Sequence, residues 1–488
     1  MSLDLKDEDS VINRVQSGFK PNTEERTLTN LEQLQLQKLE ILQNQSKLNL
    51  LEIFQKNATR PINVRNIVVE GTEQFRDSFI TAQIKPLLES KNFNDLLKSV
   101  DSVNLNFQKL GVLQNPLQIQ LHSLPNYKTF GSLDIQPMLK LTPAKKFFAK
   151  TGTNIGNGEG DGYMTFQWRN IFGGGESLML DATTGTRTKS SYLLNYSTPL
   201  FNNAGWKVDT SVFSNSRKID WTSHEQSIVG INNKIISVNE GFINHEFSIE
   251  NIIRSVHSVD SKNASNNVLF HAGEDFKSSF IYKFNYDSRD DKILPTHGSS
   301  LIINNEISGL SKYNTSSFIK QSVESSFAYT LSDRFSEIVN FSLRGGWLYS
   351  FNKPSHLMDR FYIGGPNDVR SFFFNGLGPR NFNDTLGGDI YLSGGLSHFH
   401  KLPFISKDSS FKLHQFVNFG RLIPFEKDQP LQSTVKQLFE QPSIGFGFGL
   451  VFKHSLARFE LNFVLPLTAH ENDSMRKGLQ YGIGLSFM

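Results

Sequence analysis

From about residue 146 onward, apolar and polar residues alternate with period two in segment after segment. Phe280, Tyr282, Phe284 and Tyr286 fall on one side of such a segment, with Ser279, Lys283, Asn285 and Asp287 on the other. Ile444, Phe446, Phe448, Leu450 and Phe452 oppose Ser443, Gly445, Gly447 and Gly449. Phe459, Leu461, Phe463 and Leu465 oppose Arg458, Glu460 and Asn462. Successive side chains of a strand point to opposite faces, so each segment predicts a strand with one greasy and one wet face. Clusters of Gly, Asn, Asp and Ser separate the segments as turns do. There are about sixteen of them, an even number as a single-chain barrel requires. A soluble sandwich alternates in the same way. Repeated phenylalanine on one face favours a barrel with lipid outside and water within.

The alternation is strictest at residues 479–488. Leu479, Tyr481, Ile483, Leu485 and Phe487 are apolar, while Gln480, Gly482, Gly484 and Ser486 are small or polar. A final strand this regular must pair with another strand, because unpaired edges are a liability. The predicted first strand, about Lys146 to Gly156, is weaker. It carries Thr151, Gly152, Thr153 and Asn154 where strong strands carry large apolar groups. The seam between first and last strands is therefore expected to open more easily than its neighbours.

Upstream the text differs. Residues 61–130 read as a small α/β module: a strand over Val64–Val69, a helix from Thr72 to Leu88, a helix from Asn94 to Leu110, and a strand over Leu117–Leu121. Residues 1–60 are polar and Gln-rich. Leu31, Leu34, Leu39, Leu42, Leu50 and Phe54 recur at roughly helical spacing, which suits a partner-binding helix or a partly disordered extension equally. Residues 131–488 are assigned to the barrel. Within it a long connection at about 352–387 carries Gly364-Gly365-Pro366-Asn367-Asp368-Val369-Arg370-Ser371-Phe372 and Gly378-Pro379-Arg380. So much glycine and proline around aromatics points to a folded loop. If it folds into the barrel, Arg370 needs a carboxylate or fixed acceptors, since an unpaired buried charge is costly.

Composition narrows the function. Net charge is +3, too balanced for a nucleic-acid binder, and no cysteine is present for disulfides, thiolate chemistry or thiolate-bound metal. No run of apolar residues is long enough for a helical membrane span. Phenylalanine numbers 42 against 12 Tyr and 4 Trp, which suits strands facing lipid. The start, Met1 to Asp9, contains Asp4, Asp7, Glu8 and Asp9, unlike a secretory or matrix-targeting leader. The expectation is synthesis in a cytosol and delivery to an organelle without a cleaved signal. Gly156-Asn157-Gly158-Glu159-Gly160-Asp161-Gly162 lacks the context of a phosphate cradle and reads as a hairpin connection. His398 and His400 share a strand face without a third ligand at suitable spacing. No nucleophile elbow or catalytic triad is visible, so neither an enzyme nor a cofactor is expected.

Several segments resemble a known family. The order Gln480, Gly482, Leu485, Phe487 resembles the C-terminal sorting signal of organellar outer-membrane barrels. Ala149-Lys150-Thr151-Gly152-Thr153-Asn154 resembles the first barrel strand of the core subunits of the mitochondrial sorting and assembly machinery. Asp287-Ser288-Arg289-Asp290, with Pro295 and Gly298, resembles a hairpin shared by the wider barrel-insertase superfamily. Gly364-Gly365 to Phe372, with Gly378-Pro379-Arg380, resembles that superfamily's sixth-loop motif. Arg458 to Asp473 and the terminal strand resemble the C-terminus of the fungal core subunit. The strand–helix–helix–strand order of 61–130 resembles one POTRA (polypeptide-transport-associated) domain.

The resemblance implies a mainly β fold: a 16-stranded antiparallel transmembrane β-barrel preceded by one POTRA-like domain. It implies insertion of β-barrel precursors into the mitochondrial outer membrane, with the N-terminal domain facing the intermembrane space. A precursor's C-terminal signal would displace the last strand and pair with strand one. The gate residues are then Phe147, Ala149, Lys150, Thr151, Gly152, Thr153 and Asn154 on strand one, and Gln480, Gly482, Ile483, Gly484, Leu485 and Phe487 on the last strand. The partners are precursors, peripheral cytosolic subunits and membrane lipid, with no nucleic acid and no nucleotide. A translocating or solute pore on the same scaffold is the alternative, and a soluble β-rich binding protein a third reading.

Two positions depart from the superfamily pattern. Ser371 stands where glycine is usual, which disfavours a positive φ, so the turn is expected to differ. Asn418 stands where bacterial relatives place an inner-wall aspartate. Its amide can accept from Arg370 but cannot neutralise it, which leaves the charge partner open.

Overall fold

The computed structural model describes residues 56–124, 132–156, 159–239, 241–259, 264–332, 337–351, 353–403, 409–455, 457–484 and 487–488, with 38, 42, 45 and 52 upstream. Most of the N-terminal extension, Leu485, and two residues of the glycine-rich turn after Gly156 lie outside the described residues. The chain divides into two compact units, Met1–Lys145 with Phe172–Gly175, and the remainder.

The N-terminal unit contains β1 (Ile62–Val64), β2 (Val68–Glu70), α1 (Asp77–Leu88), α2 (Phe93–Leu110), β3 (Gln118–Leu124) and β4 (Leu133–Lys140). β1 and β2 both run parallel to β4, with registers Val64↔Ile135 and Val68↔Met138, and β3 runs antiparallel to it. From Val64 to Val68 is four steps against three along β4, so the single strand expected at 64–69 is broken by one extra residue. Asn92 caps α2 by accepting from the Asp95 N–H at 2.8 Å, and Gly111 ends it at φ 61°. Phe79, Leu87, Leu96, Val103, Phe107 and Leu139 form the core. β4 is the correction to the expected boundary: it lies in this sheet, not in the barrel, because its alternate residues Ile135 and Leu139 fill the core beneath the helices.

The second unit is one antiparallel sheet of sixteen strands. In chain order they begin with β5 (Phe147–Gly156), β6 (Glu159–Arg169), β7 (Ser177–Gly185), β8 (Thr188–Pro199) and β9 (Trp206–Ile219). They continue with β10 (His224–Ser237), β11 (Ile243–His257), β12 (Gly273–Asp287), β13 (Gly298–Ser308), β14 (Phe318–Ser332) and β15 (Glu337–Ser350). A short helix α3 (Asn266–Phe270) precedes β12, and a two-residue hairpin, β16 (Arg380–Asn381) and β17 (Asp384–Thr385), interrupts the sequence inside the long loop. The wall resumes with β18 (Ile390–Lys401), β19 (Phe411–Ile423), helix α4 (Leu431–Phe439), β20 (Ser443–Lys453), β21 (Arg458–Thr468) and β22 (Gly478–Gly484). Every strand pairs with the next along the wall. One face presents Phe446, Phe448, Phe463, Leu465 and Leu479 outward, while their neighbours Ser443, Val464 and Gln480 are buried. Side chains from β11, β12, β14, β19 and β21 all converge on the loop between β15 and β18, so the sheet curls into a barrel around it.

Candidate functional site

The long loop, residues 351–389, packs into the lumen. Its tip is shaped by local chemistry. Gly364 and Gly365 take φ values of 108° and 126°, and the Gly364 N–H donates to Asp368 Oδ2 at 2.7 Å. Arg344 of β15 donates to Asp368 Oδ1 at 3.1 Å. This turn carries Val369, Arg370, Ser371 and Phe372 to the wall, and all four are fully buried.

Arg370 meets the neutralising partner that its sequence context left open. Its Nε and Nη2 donate to Glu460 Oε2 and Oε1 of β21 at 2.9 and 3.1 Å, a bidentate pair between side chains with no exposed surface. Its Nη1 donates to Asn418 Oδ1 at 3.2 Å and to the Met488 carbonyl at 2.8 Å. Asn418 therefore does face the arginine, as one acceptor among several. Glu460 is shared with Arg458 of the same strand and accepts from Asn462 Nδ2 at 2.8 Å. The signal for Glu460 was in the sequence: it lies on the wet face of β21 between Arg458 and Asn462. Nothing local says that it meets Arg370, ninety residues away.

The last strand holds the same loop. Gln480 accepts from the Ser371 N–H at 3.2 Å and donates from Nε2 to the Phe372 carbonyl at 3.1 Å. Asn367 Nδ2 donates to the Ile483 carbonyl at 3.0 Å. Gly482 gives Asn367 room, since a Cβ there would lie 2.8 Å from its Oδ1. Asp473, just before β22, accepts from the Gly378 N–H at 3.0 Å and binds the Ser443 hydroxyl. Gly378 has φ 98°, Pro379 accepts from the Leu386 N–H, and Arg380 donates to the Asn383 carbonyl, closing the small β16–β17 hairpin.

Two expectations are corrected. Ser371 does adopt φ 76°, as glycine would, because its N–H is drawn to Gln480 in a fully enclosed site. Phe487 does not continue the outer face of the last strand. Among the described residues β22 runs to Gly484, and Phe487 stands in the lumen with the Arg458 guanidinium 4.6 Å from its ring centre. Met488 follows it into a buried cluster with Ile363, Val369, Phe372 and Leu422.

The other terminal strand of the sheet is β5. It pairs with β6 along its whole length, Phe147↔Trp168 to Gly156↔Glu159, and Lys150 stands over the Tyr163 ring. Among the described residues no ladder joins β5 to β22. Ala149, Thr151, Gly152 and Thr153 thus lie on the sheet's free edge, as does Gly484 at the opposite edge.

A second lumenal cluster escaped sequence reasoning. Asp359, early in the loop, accepts from Arg254 Nη1 of β11 at 2.7 Å and lies 3.7 Å from Lys277 Nζ of β12. Lys320 of β14 donates to the Asp359 carbonyl at 2.6 Å, and Lys277 pairs with Glu306 of β13 at 2.7 Å. Beside it His271 and His356 stack edge to face, 4.8 Å apart. Burial, reinforced by Arg254 and Arg360, lowers His356 to about 3 and His271 to about 4.

A single antiparallel barrel with an apolar outer face and an internal loop held by charge-assisted bonds defines an outer-membrane-type barrel of the class that carries a lumenal sixth loop. Residues 170–487 match the model of the Omp85 superfamily domain. A SAM50-like protein of Schizosaccharomyces pombe is 30% identical over 90% of this chain and 94% of its own length. The sorting assembly machinery 50 kDa subunit of Saccharomyces cerevisiae is 30% identical over 90% of this chain and 97% of its own. The human sorting and assembly machinery component 50 homolog is 26% identical over 88% of this chain and 91% of its own. BamA from Haemophilus ducreyi lacking POTRA domains 1–3 shares the fold at TM-score 0.70 and 15% identity, covering 87% of this chain and 84% of that one. The chain belongs to the Omp85 superfamily, in the family of the sorting assembly machinery 50 kDa subunits.

Proposed function

We propose that this protein inserts and folds β-barrel precursors in the mitochondrial outer membrane through a lateral gate between β5 and β22. The observation that carries the reading is the seam: fifteen neighbouring strand pairs have ladders, while none joins the first strand to the last among the described residues. An unpaired edge is a template for another strand. A precursor's C-terminal signal pairs with β5 residues Phe147 to Asn154 and so comes to lie between β5 and β22. In lipid backbone hydrogen bonds must be made, so the incoming strand supplies the partners that the β5 edge lacks, and no covalent bond is made or broken. Loop six, clamped by Glu460, Gln480 and Asp473, braces the wall beside the gate. The small N-terminal domain faces the intermembrane space, where precursors arrive, and peripheral subunits of the machinery attach from the cytosol. The names of the relatives, subunits of a sorting and assembly machinery, support a role in sorting and assembling other proteins.

The test uses paired cysteines, which the cysteine-free chain makes clean. A cysteine in a precursor's signal should crosslink to positions 147–153. A disulfide between β5 and β22 should stop insertion and its reduction should restore it. Undiminished insertion through a locked seam would refute the gate.

A further inference from the structure

Between β19 and β20 the chain leaves the wall for residues 424–442 and forms α4. This helix packs near β18 and β19, with Thr434 buried and Leu438 half-buried toward them. Two hydrogen bonds and one ring contact place the segment outside the barrel. Arg421 Nε donates to the Gln437 carbonyl at 3.4 Å, and Arg421 shares a strand face with Val417, which is exposed on the outer surface. Lys427 donates to the Phe351 carbonyl at 2.8 Å and lies 5.5 Å from the Tyr349 ring centre. Trp347, Tyr349 and Phe351 are exposed on the outer face at this end of β15. Outward aromatics at strand ends form the girdle at a membrane–water boundary.

The polar residues of α4, Gln432, Ser433, Lys436 and Glu440, share one side. Leu431, Val435 and Phe439, at i, i+4 and i+8, form an adjoining apolar stripe that is 70, 54 and 64% exposed. Such a stripe beside an aromatic girdle, with cationic Lys436 and Lys427 in the same segment, has the form of a helix lying in the headgroup region. We propose that α4 is an interfacial helix whose Leu431–Val435–Phe439 stripe is covered by membrane lipid. The helix packs against β19, whose outer face is exposed at Val417. It therefore extends the lipid contact of the wall within a few strands of the seam.

The inference rests on the barrel spanning a bilayer, and the test separates the two. Single cysteines, Val435→Cys on the stripe, Gln432→Cys on the polar side and Val417→Cys on the wall, are labelled with an environment-sensitive fluorophore. The full chain is refolded into phosphatidylcholine–phosphatidylethanolamine vesicles, with folding checked by heat-modifiable gel mobility. Lipids brominated near the headgroup should quench the Val435 probe several-fold more than the Gln432 probe, and lipids brominated deep in the chain should quench it less. The Val417 probe should be quenched by one or both lipids. Quenching at Val417 without quenching at Val435 overturns the inference and leaves the membrane reading standing. Quenching at neither overturns the membrane reading. A Val435 probe that stays open to aqueous iodide until cytosolic subunits are added would assign the stripe to protein instead, and overturn the proposal.

Discussion

Glu460→Ala is the sharpest perturbation of the lumenal clamp. In the folded barrel the substitution leaves Arg370 buried with only two neutral acceptors, Asn418 Oδ1 and the Met488 carbonyl. Removing one partner of a buried ion pair costs about 3–5 kcal/mol, chiefly because the other charge is left uncompensated. Part of that penalty falls on Arg458, which stays on β21 whether or not the loop leaves. The lower figure, about 3 kcal/mol, is therefore assigned to release of the loop, where Arg370 regains water. At about 1.4 kcal/mol per factor of ten, the released state should become roughly a hundredfold more populated. Trypsin reads this directly, because Arg370 has no exposed surface and is cleaved only from an open loop. Full-length protein in vesicles, digested under conditions where reclosing outpaces cleavage, should be cut after Arg370 about a hundred times faster in Glu460→Ala than in the parent. Asn418→Ala removes one of the two bonds made by Nη1 and should accelerate cutting by about tenfold, for about 1–1.5 kcal/mol. If Asn418→Ala opened the loop as much as Glu460→Ala, the carboxylate would not be the neutralising partner and the reasoning would fail.

Gln480→Leu should loosen the loop and the last strand together, since it strips the Ser371 N–H and the Phe372 carbonyl of their partners. About 1–3 kcal/mol is expected, read as faster hydrogen exchange in both segments, with slower precursor insertion. Ser371→Gly should stabilise the folded barrel by up to about 1 kcal/mol in a urea titration. It relieves a left-handed serine whose buried hydroxyl has no partner, and that gain of about 1–2 kcal/mol exceeds the extra chain entropy of glycine. His271 and His356 should make the start of loop six acid-sensitive. Their folded values lie below the ordinary 6.5, so the neutral rings stabilise the closed loop above that pH, and the contribution is lost as pH falls toward about 4 and about 3. Hydrogen exchange of residues 353–360 should accelerate between neutrality and about pH 5.5, by up to about 1.4 kcal/mol per histidine, and His356→Asn should flatten the response.

The period-two alternation by itself determined the wall: where strands lie, which face meets lipid, and an even strand number. The reason is that the facing of a strand residue depends only on its parity in the local chain. The turn residues at Gly364, Gly365 and Gly378 likewise carry their own backbone preferences, so a folded loop was legible before any contact was known. What the loop touches was decided only by tertiary structure. Glu460, Asn418 and Gln480 are three polar residues on inner faces among many. Strand register and curvature bring them, rather than others, to Arg370 and Ser371. The same holds for Asp359, which gathers Arg254, Lys277 and Lys320 from three strands, and for β4, whose partners lie on both sides of the two helices in sequence. Phe487 shows the converse. Its parity placed it outward, but parity binds only while a strand continues, and two buried guanidinium groups hold Phe487 in the lumen.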